Sequence, residues 1–263
     1  MNPLVHKYFE GQTEVEEFRF LSDEANTQWS ELEKSAPDLP RGWFELSRIR
    51  PHDRIDFVSS LWLENLPYRP AAHDALSDFF DRLDDVGVVL TREGVEAWSP
   101  ELVYSLEDDS CFFRGLLPCT EPDLGEMRQE IGALLPKDYI AFLKMHNGFG
   151  KISEMGLLKA SEIGDARRRL MQIIRNDERL LKSSQGIVEP GSLIPFFEVL
   201  GLNSFQCFDS DWYPENEMGN VYFSGIDYTL SERSDRQKWA DNLAFPTFSD
   251  WLANYVEGMN LSP

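Results

Sequence analysis

Apolar positions recur at three- and four-residue spacing, with acids between them, along residues 13–35, TEVEEFRFLSDEANTQWSELEKS. This pattern predicts one amphipathic helix, closed by the Pro-Asp-Leu-Pro at 37–40. A second helix is expected from about Asp53, where Ile55, Val58, Leu61 and Trp62 share a face, to just before Pro67, and a third over 71–83. The pattern then changes to short β-rich runs at 86–90, 95–98, 102–106 and 111–116, broken by Gly, Pro and acidic turns. Glu107-Asp108-Asp109 reads as one of these hairpin turns. The first half thus predicts helices followed by a small antiparallel sheet.

Prolines at 118 and 122 and a change of period mark the expected boundary, giving units at 1–118 and 119–263 of an α+β protein. Beyond it, helices are expected at 123–134 and 136–146, a short strand at Leu157-Leu158, and a long helix over 162–182 with Leu170, Ile173, Ile174 and Leu181 inward. Strands follow near 193–199, 204–208 and 220–224, and PTFSDWLANYVEG closes the fold as a helix. No internal repeat or low-complexity tract interrupts this order.

Five stretches of the second half occur in an order that resembles the SUKH superfamily, the Smi/Knr-type cell-wall assembly regulators and toxin-immunity proteins. They are LLPKDYIAFLKMHNGF at 134–149, GLLKASEI at 156–163, SLIPFFEVLGLNSFQCFDSD at 192–211, GNVYFSGIDY at 219–228 and LAFPTFSDWLANYV at 243–256. The resemblance implies a mixed domain of helices packed on an antiparallel sheet, fold-defining rather than catalytic motifs, and a function in binding another protein. Its structural motif falls on Leu135, Pro136, Tyr139, Phe142, Leu143, Asn147, Gly148, Pro195 and Phe196. The turn after the Ile-Pro-Phe strand departs from the family, reading Glu198-Val-Leu-Gly-Leu-Asn-Ser where an acidic, Gly-rich stretch is common. Residues 1–118 fall outside the resemblance.

The same motif follows from elementary chemistry. Pro136 suits the first turn of a helix, where its missing N–H would have no partner. Tyr139, Phe142 and Leu143 then form one buried stripe, and Asn147-Gly148 can end the helix because these residue types accept left-handed backbone.

Charge narrows the function. With 46 acids against 25 bases the net charge is −21, which repels nucleic acid and anionic membranes. Residues 119–182 hold 10 acids and 11 bases, whereas residues 183–263 hold 12 and 3. Acidity therefore concentrates in the last third and the first half. The N-terminal sequence lacks an apolar run behind a basic patch, so a cytoplasmic protein is expected.

Candidate chemistry is sparse. His6, His52, His73 and His146 are widely spaced and read as surface or capping residues. Cys111, Cys119 and Cys207 lack metal-ligand spacing, and Cys111 and Cys207 in aromatic strand contexts read as buried, inert thiols. Glycine-rich phosphate loops and Gly-x-Ser-x-Gly are absent, so no enzyme, cofactor or metal is expected. The run Asp209-Ser-Asp211-Trp212-Tyr213-Pro-Glu215-Asn-Glu217 is not an EF-hand, since Pro214 stands where that loop needs glycine and Asn220 where it needs glutamate. It reads instead as an interaction loop, with Trp212 and Tyr213 as rigid anchors and Asp209, Asp211, Glu215 and Glu217 supplying charge for a basic partner. Arg167-Arg168-Arg169 is expected to pair with carboxylates. The expected partner is another protein, a basic toxin such as a nuclease domain. A regulatory scaffold is the alternative, and a hydrolase in the first half the third.

Overall fold

The computed structural model describes residues 1–12, 15–24, 26–94, 97–107, 111–132, 134–151, 156–176, 182–183, 186–199, 201–225, 229–233 and 239–258. In chain order the elements are α1 (Pro3–Gly11), β1 (Glu17–Phe20), α2 (Trp29–Ser35), α3 (Arg41–Ser47), α4 (Pro51–Asn65), α5 (Pro70–Asp81), β2 (Leu83–Arg92), β3 (Ser99–Leu106) and β4 (Phe112–Gly115). There follow α6 (Glu121–Ile131), α7 (Lys137–Leu143), β5 (Phe149–Lys151), α8 (Ile163–Asn176), β6 (Lys182–Ser183), β7 (Gly186–Ile187), β8 (Leu193–Val199), β9 (Ser204–Asp209), β10 (Asn220–Ser224), β11 (Thr229–Leu230), α9 (Trp239–Asn242) and α10 (Phe248–Gly258). The fold is α+β. Two compact units share the chain: one holds Met1–Glu64, Ser77–Leu117 and Phe149–Ser153, the other Asn65–Leu76, Pro118–Gly148 and Glu154–Pro263.

The first unit is built on an antiparallel sheet in the order β1-β2-β3-β4-β5. Both faces of this sheet are covered, which is why Val86 to Leu90 reads as one unbroken buried run rather than an alternation. On one face Val5 and Phe9 of α1 pack with Phe20, Val89, Val103 and Phe112. On the other, Trp62 and Phe79 meet Tyr104, with Phe113 and Phe149 stacked at 5.3 Å beside them. The Trp62 indole N–H donates to the Tyr104 hydroxyl at 3.2 Å, so the buried polar edge of the cluster is satisfied.

Buried carboxylates in this unit are held by arginines. Arg54 is 4% exposed and grips Asp85 with two bonds of 2.8 and 2.9 Å. Arg114 donates to Glu101 at 2.6 Å and to the Tyr8 hydroxyl at 2.8 Å.

The expected helix over 13–35 is a correction. Phe18 and Phe20 alternate with polar Glu17 and Arg19 as strand β1, paired with Arg92 to Val89; a single 3-10 turn follows at Leu21–Asp23, and among the described residues the α-helical part is Trp29–Ser35. Residues 13, 14 and 25 of that span lie outside the described residues. The α4 stripe is also shifted: Arg54, Val58 and Trp62 are buried at four-residue spacing, while Leu61 is exposed. Of the expected strand at 95–98, residues 95 and 96 lie outside the described residues, and Trp98 precedes β3. Asp108 and Asp109 of the expected hairpin turn, and Leu181 of the expected long helix, likewise lie outside them.

The second unit is built on the sheet β11-β10-β9-β8. Every residue of β8 and β9 is buried. A register shift between Pro195 and Phe197 interrupts the pairing of β8 with β9. Proline has no N–H for the ladder, so a bulge is a natural place for it. Phe196 and Phe197, successive residues at this bulge, both reach Trp251 of α10, at ring separations of 4.9 and 5.3 Å. Leu157 forms an isolated bridge to Phe197 rather than a strand, and the Leu158 amide donates to the Phe196 carbonyl at 2.9 Å. In α8, Leu170 and Ile174 are buried. Of the histidines expected at the surface or at caps, His52 is exposed beside Asp56 at 3.5 Å and His73, though buried, has its Nδ1 3.2 Å from the Arg69 amide at the start of α5; His146 is the correction, being buried.

Candidate functional site

The motif residues form the core of the second unit. Pro136 ends the extended segment before α7, and its fixed φ near −55° sets the helix entry. Tyr139, Phe142 and Leu143 are fully buried, and the Tyr139 ring touches Phe196, Phe208 and Phe248. Leu135 is half-buried and Pro195 buried. Asn147 does not end α7, which stops at Leu143; its side-chain oxygen accepts the Ala160 amide at 2.7 Å and so ties down the start of the next segment. Gly148 has φ +112°, a conformation that side chains resist.

Asp138 carries a task that its sequence position does not suggest. Its buried carboxylate accepts the amide and hydroxyl of Ser249 at 2.9 and 3.0 Å and its neighbour's amide at 2.9 Å, fastening α7 to the first turn of α10. Burial pushes this carboxyl above the ordinary aspartate value, partly offset by the Ser249 bonds. A raised carboxyl favours the protonated folded state. Its contribution to stability is present below the unfolded pKa and is lost as pH rises through the folded one. Stability of the parent relative to Asp138→Asn is therefore expected to fall as pH rises above the ordinary aspartate value of about 4, read by urea unfolding across a pH series. A difference that does not change with pH would contradict this assignment.

The acidic loop runs from the end of β9 to the start of β10. Its base is tied by three backbone bonds: Asp209 N–H to Gly219 at 3.0 Å, Trp212 N–H to Asp209 at 3.0 Å, and Gly219 N–H to Trp212 at 2.9 Å. Asp209 is 0% exposed; its carboxylate accepts the Asp211 amide at 3.1 Å and pairs with the Arg233 guanidinium. It holds the loop from inside and offers no surface to a partner. Trp212 is half-buried with its ring against Gly219, where an added Cβ would come within 2.4 Å of it. Arg233 lies over the same ring at 5.8 Å. Among the described residues no group of three or more His, Cys, Asp or Glu side chains is placed to hold a metal ion.

Asp211, Tyr213, Glu215 and Glu217 form the exposed rim, with Tyr213 55% exposed. Glu215 and Asn216 both take left-handed backbone, φ +55° and +66°. Asn tolerates this readily; for Glu it is uncommon. The Glu215 side chain is held by Arg69 at 3.1 Å, and Arg69 also reaches Asp250 at 3.1 Å. These three residues border a cavity of about 580 Å³ with Tyr68, Pro70, Ala71 and Trp239. Tyr68 is 77% exposed.

Sequence reasoning missed Arg69 and Arg233, because no local pattern links them to residues so distant in the chain. Asp250 had a readable signal. Thr247 accepts its amide and donates to its carboxylate at 2.7 Å, the Thr-x-x-acid pattern of a helix start.

The arginine run behaves as expected of paired cations. Arg168 meets Glu130 at 2.5 Å and also Asp165, Arg169 meets Glu198, and Arg167 donates to the carbonyls of Ile131 and Gly191 at 2.9 and 2.8 Å. Cys119 and Cys207 are buried, and Cys111 is partly exposed; all three are free thiols. Burial holds the Cys119 thiol up at about 11 and pushes Cys207 well above its ordinary range.

A mixed α+β unit with a fully buried, bulged strand under an aromatic helix defines the class: a fold whose motif residues build a core. A model of the SMI1 / KNR4 family (SUKH-1) matches residues 118–254, just over half of the chain, and the chain belongs to that family. A search of curated proteins found no match. No helix among the described residues is long and apolar enough to cross a membrane.

Proposed function

We propose that this protein is a non-catalytic binding protein of the immunity type, which covers and neutralises a basic toxin domain such as a nuclease. The observation that carries this reading is the rim of the acidic loop. Asp211, Tyr213, Glu215 and Glu217 stand exposed on a base tied by three backbone bonds and an internal Asp209–Arg233 pair. A rigid aromatic residue among carboxylates suits a basic surface, because little side-chain freedom is lost on docking and charge sets both approach rate and orientation. Net charge −21 extends that attraction beyond the contact and disfavours nucleic acid as the direct ligand. Within this reading Asp209 and Trp212 set the loop and the exposed four make the contact, in the cytoplasm and without a cofactor.

Affinity capture from the native cell's lysate at low salt, followed by stepped salt elution, tests it. One basic protein is expected to be retained, to leave with rising salt, and to be lost by about ten-fold or more on changing Asp211, Tyr213, Glu215 and Glu217 together to alanine. The variant's unfolding midpoint should stay near the parent's. Capture of signalling or envelope proteins by the same loop would replace this reading with a scaffolding one.

A further inference from the structure

The groove between α6 and α7 has a character opposite to the rest of the molecule. It is a cavity of about 550 Å³ lined by Arg128, Gly132, Leu134, Leu135, Lys137 and Ile140. No carboxylate lines it, although the chain carries 46. Leu134 is 87% exposed, more than any other large apolar residue among those described, and Leu135 and Ile140 beside it are half-buried.

Leu134 lies between two helix-end residues of defined backbone, Gly132 and Pro136. Gly132 ends α6 in the left-handed conformation, φ +67°, with its amide bonded to the Arg128 carbonyl at 3.0 Å. Pro136 fixes the entry to α7 on the other side.

The cations are equally distinctive. Among the described residues neither the Arg128 nor the Lys137 side chain makes an ion pair within 4.0 Å or a hydrogen bond. The neighbouring cavity of about 590 Å³ against α6 and α8 also carries arginines and differs in its lining: the Glu130 carboxylate borders it, Arg167 is spent on backbone carbonyls and Arg168 on Glu130 and Asp165, and only Arg175 of its three stands outside a close pair among the described residues. The α6–α7 groove thus combines open apolar surface with two cations that make no close ion pair among the described residues, Arg128 feeling Glu121 only through space.

We propose that this groove is a second docking site, for an acidic segment of a partner protein that inserts a leucine-like side chain beside Leu134, Leu135 and Ile140. Its carboxylates would meet Arg128 and Lys137, whose aliphatic stems form the sides of the groove. Charge complementarity selects the occupant. An apolar anchor framed by acids fits, whereas a basic segment is repelled locally by both cations. The site is independent of the acidic loop and takes a partner of the opposite sign, so the protein can join a basic protein to an acidic one.

The test uses the full chain and a fluorescein-labelled synthetic helical peptide with leucine on one face and glutamate elsewhere, read by anisotropy. Saturable binding is expected, weakening with salt and falling about ten-fold or more both in Arg128→Glu/Lys137→Glu and in Leu134→Ser. Both variants change exposed side chains, and unchanged thermal unfolding would show that the fold persists. A peptide with serine in place of leucine should bind at least ten-fold more weakly. The proposal is overturned by absence of binding, by equal binding of the serine peptide, by binding that survives both variants, or by the peptide signal arising only from self-association of the protein in sedimentation.

Discussion

Replacing Arg54 with alanine is expected to cost about 3–5 kcal/mol of stability, because it strands a carboxylate that has no access to water. Asp85 is 3% exposed, and two of the Arg54 N–H groups are its hydrogen-bond donors. Arg54 Nη1 also serves the carbonyls of Ser47 and Ile49 at 3.4 and 3.2 Å, so the deletion leaves those acceptors bare as well. The Met1 ammonium also pairs with Asp85, at 3.7 Å, but it is shared with Asp84 at 3.4 Å and so replaces the Arg54 contacts only in part. Urea denaturation followed by circular dichroism measures the loss. The double variant Arg54→Met/Asp85→Leu should recover most of it, since an apolar pair of similar volume removes both desolvation costs together. A single-variant loss below about 1 kcal/mol would mean that water reaches Asp85 after all.

The second large effect is expected at Trp251. Its fully buried ring contacts Phe196, Phe197 and Phe248 and stacks on Tyr255 at 5.1 Å. Trp251→Ala should destabilise the second unit by about 3–5 kcal/mol, the sum of lost burial and the cavity left behind. Trp251→Phe should cost much less, because the indole nitrogen has no hydrogen-bond partner to lose. The same denaturation experiment decides it. Equal losses for the two substitutions would move the importance from ring volume to the indole N–H.

These two sites also show what could be read from the sequence. Trp251 lies in a helix whose apolar spacing is plain, and the strands at 193–199 and 220–224 coincide with β8 and β10 to the residue. Covered on both faces, such strands appear as unbroken apolar runs, which survive without context. Arg54 is the opposite case. A basic residue at the head of a buried helical stripe breaks the pattern, and the partner that makes it tolerable lies on β2, 31 positions away. The helix expected at 13–35 failed for a related reason. Phe18 and Phe20 carry a two-residue alternation too short to outweigh the helical spacing around them, and the pairing with β2 decides their conformation.

At the candidate site, exposure of Tyr213 and the acids around it followed from a polar run between strands. The inward role of Asp209 did not, because a carboxylate at a strand end looks the same whether or not an arginine such as Arg233 waits inside.

Strand β5 has a consequence for how such a protein can be divided. It pairs Phe149 to Lys151 with Gly115 to Phe113 of β4, yet in the chain it follows α7 and lies within the family match. A gene severed at residue 118 would yield a leading fragment whose sheet ends on a naked flank of β4, with unpaired amides and carbonyls ready to recruit a strand from any neighbour. A division at residue 118 therefore parts β4 from the three-residue strand that covers its edge.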